Sequence, residues 1–145
     1  MGSKLHGIFS LILVLVAVVM ALIYMLGVSL GWGLVYLGII AVANPLVLYS
    51  YCAKCLCRDH ACSHVFPGKL TSLLPARKQG SYSFMDYLGT ALPLIALFGF
   101  PQFWLWQRKS AFIAYWILIL LGLIEVFFLV CRACRNENCP MNGSA

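Results

Sequence analysis

Four long apolar runs constrain the fold of this chain more than any other feature of its 145 residues. They comprise residues 7–26, 30–51, 88–106 and 111–130. Each has close to the ~20 residues that an α-helix needs to cross the hydrocarbon core of a bilayer. Because the runs are continuous rather than alternating, they predict helices and not the strands of a membrane barrel. We therefore expect an all-α bundle of four transmembrane helices.

The composition excludes a soluble domain. Hydrophobic residues make up 63% of the chain and charged residues 10%. A soluble fold of this length cannot bury so much apolar surface, which places the chain in the membrane class. The first run is longer than the ~7–15 apolar residues of a removable signal peptide, so we expect it to remain as a span.

Short turns predict how the four spans are connected. Residues 27–33 separate the first two runs, and residues 107–110 separate the last two. Turns of this length make successive helices antiparallel neighbours, so we expect two hairpins within a single domain. Pro45, Pro93 and Pro101 lie within the runs, where each removes a backbone donor and predicts a kink. Outside the spans lie a Cys-rich loop (52–65), an interfacial segment (66–86) and a Cys-rich tail (131–145).

The distribution of Lys and Arg predicts the orientation. Eight of these residues fall on the side of both termini and the middle loop, against Arg108 and Lys109 on the other side. Because basic residues favour cytoplasmic loops, we expect a multi-pass protein of the cell (inner) membrane with both termini in the cytoplasm. The expected partners are anionic lipid headgroups and a cytoplasmic or membrane protein, with no nucleic acid. The eight are Lys4, Lys54, Arg58, Lys69, Arg77, Lys78, Arg132 and Arg135.

All seven cysteines follow the second and fourth runs, so the expected topology brings them to the cytoplasmic side. Cys52 with Cys55, and Cys131 with Cys134, form two Cys-x-x-Cys pairs. On a helix that continues past the lipid boundary, residues three apart share one face. Disulfides are improbable in the reducing cytoplasm. The candidate metal ligands are Cys52, Cys55, Cys57, Cys62, Cys131, Cys134, Cys139, His60 and His64.

Thiolates are soft ligands that indicate zinc, Cu(I) or an iron–sulfur cluster rather than Ca²⁺ or Mg²⁺. Two Cys-x-x-Cys pairs from separate elements form the usual four-thiolate zinc site, and the same sulfurs suit an iron–sulfur cluster. We favour zinc, with iron–sulfur as the alternative. Structural thiols, a thiol-exchange pair and solvated histidines are also compatible with this pattern.

Glu125 is the only charged side chain within the four runs, and such a residue is a functional hypothesis by default. Glu125 precedes Cys131 by six residues and Asn44 precedes Cys52 by eight, so both lie about two helical turns inside the boundary. A Glu125–Asn44 hydrogen bond between helices is one prediction. The alternative is a proton acceptor beside a quinone or thiol site. The variant E125Q would keep the fold in the first case and abolish proton-coupled activity in the second.

The C-terminal sequence resembles that of a set of small uncharacterised prokaryotic four-span membrane proteins. The resemblance rests on Cys131-Arg-Ala-Cys134-x4-Cys139-Pro140-Met-Asn142, which follows a last span containing Glu125. It extends over most of the chain and implies the same four-span fold. It implies no established activity.

Two enzyme families share single features with the chain. Asp59-His60-Ala61-Cys62 resembles the Asp-His-His-Cys motif of S-acyltransferases, with Cys62 at the nucleophile position. However, Ala61 replaces the second histidine, and the segment is too short for that family's two zinc sites. Four-span disulfide-forming quinone reductases also use paired cysteines, but on the oxidising side of the membrane. Both departures weigh against these activities.

Three classes of function follow from the sequence. The favoured one is a non-catalytic structural or accessory subunit, or docking module, with a cytoplasmic thiolate metal site. The second is an electron-transfer protein whose iron–sulfur centre or thiol redox pair couples to a membrane carrier. The third is a thiol-based metal carrier or sensor. Because the sequence contains no nucleotide loop or catalytic triad, we favour a role that is not enzymatic.

Overall fold

The computed structural model describes residues 2–55, 65–71, 73–75, 77–78 and 81–132. These ranges contain six α-helices, one 3-10 turn, one π-helical segment and no strand. The α-helices are α1 (Gly2–Val28), α2 (Leu30–Ser50), α3 (Val65–Thr71), α4 (Phe84–Gly99), α5 (Gln102–Leu105) and α6 (Lys109–Ile124). The 3-10 turn is Cys52–Lys54, and the π-helical segment is Glu125–Val130.

Four of the described stretches are long and apolar enough to cross a membrane, which confirms the predicted all-α, four-span class. Large apolar side chains stay exposed on them; Leu15 and Leu92, for example, are each 60% exposed. Helices that are apolar on every face suit a lipid surrounding. The four stretches are Lys4–Val28, Leu30–Lys54, Phe84–Leu105 and Lys109–Val130.

α1 is the central helix of the described bundle. It packs along α2, α6 and the π-helical segment, while α4 packs along α2. α6 meets the third span mainly through the short α5, next to the turn that joins them. The last two spans are therefore close at their turn, but each lies along a helix of the first pair. The shared core is formed by Ala17, Ala21, Met25, Tyr36, Leu97, Leu105, Tyr115 and Ile119.

Pro101 separates α4 from α5, as expected for a residue that cannot continue the helical hydrogen bonds. The carbonyl of Leu97, four residues earlier, loses its backbone donor and accepts a hydrogen bond from the Tyr36 hydroxyl at 3.1 Å. The carbonyl of Phe98 accepts one from the Gln102 side chain at 2.7 Å. Side chains thus satisfy the carbonyls that the break exposes inside an apolar bundle. Pro45, in contrast, lies within an unbroken helix.

Two glycines allow the central helix to approach its neighbours closely. A Cβ on Gly33 of α2 would lie 2.6 Å from Cγ of Leu26, and one on Gly122 of α6 would lie 3.0 Å from a methyl of Val14. Both partners belong to α1. A Cβ on Gly38 would meet no atom within 4 Å. Small residues at helix contacts, where van der Waals packing drives association, are typical of membrane bundles.

Candidate functional site

Two side-chain contacts show which helix ends lie together. His6, near the start of α1, contacts Glu125 at the start of the π-helical segment. Lys54, just after α2, contacts Asp86 in the first turn of α4. α1 and α2 are joined at Ser29 and pack along each other, so the start of α1 lies at the same end as the end of α2. The two contacts add the start of α4 and the end of the π-helical segment to this end of the bundle. We call this the thiol end, because Cys52, Cys55 and Cys131 all follow helices that finish there.

The first thiol pair lies on a tight turn rather than on a continuation of α2. α2 ends at Ser50, and the 3-10 turn closes with a hydrogen bond from the Cys55 amide to the Cys52 carbonyl at 3.1 Å. Both cysteines are half-buried, and Ala53 between them is buried. In 3-10 geometry, side chains three residues apart lie on the same side. The shared face of Cys52 and Cys55 therefore stays a prediction, with which a 3-10 turn is compatible although α2 does not continue through the pair.

The remaining predicted ligands lie largely outside the described residues. Cys131 follows the π-helical segment, half-buried, with its amide bonded to the Val126 carbonyl at 2.8 Å. Within the described ranges, no three His, Cys, Asp or Glu side chains come together to hold a metal ion. The metal site therefore stays a prediction from sequence. Outside the described residues lie Cys57, His60, Cys62, His64, Cys134 and Cys139.

The best-defined polar cluster at the thiol end surrounds Asp86, which the sequence analysis did not identify. Its carboxylate is only 1% exposed. The Lys54 ammonium donates to one carboxylate oxygen and the Arg77 guanidinium to the other, each at 2.7 Å. The backbone amide and the hydroxyl of Ser83 donate to the first oxygen at 2.8 and 2.9 Å. We call these four residues the Asp86 cluster.

The start of α4 explains why a carboxylate is placed here. Ser83 precedes the helix and Asp86 is its third residue, the spacing at which an acidic side chain bonds back to the amide before the helix. A negative side chain in the first turn also interacts favourably with the helix dipole. The Ser-x-x-Asp pattern before an apolar run was the signal in the sequence that could have identified this residue.

Aromatic rings fix the two cations of the Asp86 cluster against the end of α2. The Arg77 guanidinium lies 5.1 Å from the ring centre of Tyr49, and the Lys54 ammonium lies 5.8 Å from that of Tyr82. The ring of Tyr82 stacks on Tyr51 with centres 4.7 Å apart. Cation–ring contacts of this length are attractive, particularly where water is partly excluded. The cluster thus joins three stretches of chain: the turn after α2, the segment at Arg77, and the start of α4.

Glu125 forms a second, simpler polar contact at the thiol end. A carboxylate oxygen lies 2.8 Å from Nδ1 of His6, with side-chain exposures of 20% for Glu125 and 41% for His6. The expected Glu125–Asn44 hydrogen bond is wrong. Asn44 is exposed and donates to the Ile40 carbonyl of its own helix at 2.8 Å. The physical reason is the packing order, because α1 rather than α2 lies along the π-helical segment.

Comparisons with protein-family models, with curated proteins and with solved structures found no match to this chain.

Proposed function

We propose that this chain is a small multi-pass protein of the cell membrane that binds a soft metal ion, zinc in preference, through thiolates on its cytoplasmic side. It acts as a structural or accessory subunit, or as a docking module, for a cytoplasmic or membrane protein. The first two spans are joined by a short turn, as are the last two, and each of these two pairs is followed by a Cys-rich segment. Metal bound between the two segments would tie the two pairs of spans together.

One observation carries this proposal: the chain segments bearing Cys52, Cys55 and Cys131 leave the bundle at the same end. Thiolates from two separate elements are the usual donors of a structural zinc site. The proposed ligands are these three cysteines together with members of the set Cys57, His60, Cys62, His64, Cys134 and Cys139.

The charge distribution supports a cytoplasmic thiol end. Six described basic residues lie at or beside this end, whereas Arg108 and Lys109 lie at the turn on the opposite end. This asymmetry favours the cytoplasm for the thiol end, where anionic headgroups attract basic side chains. The six are Lys4, Lys54, Lys69, Arg77, Lys78 and Arg132.

Elemental analysis of the full chain, purified without oxygen, tests the metal. We expect a colourless protein with about one zinc per chain, in keeping with a four-thiolate site. The double variant C52S/C55S should lose this zinc, while S29A at the opposite end should keep it. Brown protein with iron and sulfide would overturn the zinc proposal and establish the electron-transfer alternative. Protein without bound metal would overturn both the zinc site and the iron–sulfur centre, and would leave the thiol redox pair as the alternative.

Reporter fusions at the C-terminus of the full chain test the orientation separately. A fluorescent protein that matures in the cytoplasm should be bright there. A phosphatase that is active only outside the cytoplasm should be inactive at the same position. The reverse result would place the thiols on the outer side and contradict the proposal.

A further inference from the structure

The Asp86 cluster reaches directly into the first thiol pair. Lys54 lies within the motif, directly before Cys55, and its side chain is only 13% exposed. The 3-10 turn that carries it is three residues long and is closed by the hydrogen bond from the Cys55 amide to the Cys52 carbonyl. An ion pair made by Lys54 therefore constrains the whole turn.

The carboxylate that receives Lys54 is itself fixed by other contacts. Asp86 is held by two donors of Ser83 and by Arg77, and it belongs to the first turn of a long helix. These contacts remain if Lys54 is removed. Asp86 is thus a stationary point of attachment, and the Cys52–Lys54 turn is the part that is held in place.

The two cations of the Asp86 cluster differ in what they connect. Lys54 links the carboxylate to the 3-10 turn Cys52–Lys54, which we call the thiol turn. Arg77 links it to the end of α2, where the guanidinium lies over the Tyr49 ring and 3.5 Å from the Ser50 carbonyl. Removing either cation leaves the carboxylate with one positive partner. Of the two cations, only Lys54 belongs to the turn that carries the thiols.

We propose that Asp86 is a positioning residue for Cys52 and Cys55, acting through its ion pair with Lys54. The pair orients the thiol turn before metal binds, so the two sulfurs are presented to a thiophilic divalent cation as a preformed pair. This inference rests on the proposed metal-binding function for its purpose. Whether Lys54 orders the thiol turn is tested in metal-free protein.

Two matched variants of the full chain separate positioning from general stability. K54M removes the cation inside the motif, and R77M removes the cation outside it. Loss of a residue that orients a metal ligand typically lowers metal affinity by about 10–100-fold. We expect K54M to weaken zinc binding about 10-fold in competition with a chromogenic chelator, and R77M to change it less than 2-fold. K54R, which keeps the charge, should restore most of the affinity, and D86N should resemble K54M.

Alkylation rates in metal-free protein provide the second readout. Maleimide labelling of Cys52 and Cys55, followed by mass spectrometry of their peptides, reports how the turn presents its thiols. K54M and D86N should change both rates several-fold, whereas R77M should leave them near the rates of the unmodified chain.

The zinc-affinity and alkylation experiments distinguish failure of the proposed metal-binding function from failure of the positioning role. A chain that binds no zinc overturns the proposed function, and the alkylation rates then decide the positioning role alone. Equal effects of K54M and R77M on the alkylation rates would show a merely structural cluster and overturn the inference. Unchanged rates in K54M would overturn it as well.

Discussion

Asp86 and Glu125 are the two acidic side chains that the structure describes, and they are held in very different ways. Asp86 is 1% exposed and receives four donors from three residues. Glu125 is 20% exposed and contacts one histidine that is itself 41% exposed. A carboxylate removed from water must be compensated by charge and hydrogen bonds, while one that keeps partial access to water needs less.

The two contacts also differ in what they join. Lys54, Arg77 and Asp86 come from three stretches of chain, which the Asp86 cluster joins at the thiol end. His6 and Glu125 belong to two elements that already pack along each other. The Asp86 cluster therefore fixes how its three stretches of chain are arranged. The His6–Glu125 contact, in contrast, forms between two helical elements that packing already holds together.

The largest loss of stability should come from replacing Asp86 with an uncharged residue. D86A leaves Lys54 and Arg77 facing each other without a carboxylate, and breaking a buried ion pair in this way costs about 3 kcal/mol. Unfolding of the full chain in mixed detergent micelles measures this change, with E125Q as the matched acidic control. An equal loss of stability in D86A and E125Q would show that the two carboxylates contribute equally to stability and would contradict this comparison.

A smaller effect should follow from removing one cation at a time. K54M or R77M takes one charged hydrogen bond from Asp86 and should lower the free energy of unfolding by about 1.5 kcal/mol each. The double variant leaves a shielded carboxylate without any cation, so it should cost more than the sum of the single variants. Strict additivity in this double-mutant cycle would show that the two cations act independently and contradict a shared cluster.

The sequence predicted the membrane-spanning helices well, because about 20 consecutive apolar residues have few other stable arrangements. It also identified Glu125 as a special residue, since a carboxylate within an apolar run is conspicuous. It did not predict the partner of Glu125. Which helices are neighbours depends on packing, and Asn44 bonds within its own helix. Close approach at glycines such as Gly33 is visible only once the partner helix is known.

Asp86 was missed for a related reason. The Ser-x-x-Asp pattern marks a helix start, but a capping carboxylate at the boundary of an apolar run is normally exposed to water, so the pattern does not predict burial. Its burial depends on Lys54 and Arg77, which lie 32 and 9 residues earlier and return to the same place only in the folded chain. The role of Lys54 was hidden in the same way, since its partner carboxylate lies 32 residues later in the chain.

The smallest effect should come from the His6–Glu125 contact. H6A leaves Glu125 with partial access to water and should lower the free energy of unfolding by about 1 kcal/mol or less, as is usual for single polar contacts between membrane helices. E125Q should cost less than H6A, because the amide still offers His6 a hydrogen-bonding partner. Unfolding in the same micelles as D86A measures both. A loss of unfolding free energy in H6A as large as that in D86A would contradict this difference. Helix packing alone would then not explain how α1 is held against the π-helical segment, and the His6–Glu125 contact would have an organising role like that of the Asp86 cluster.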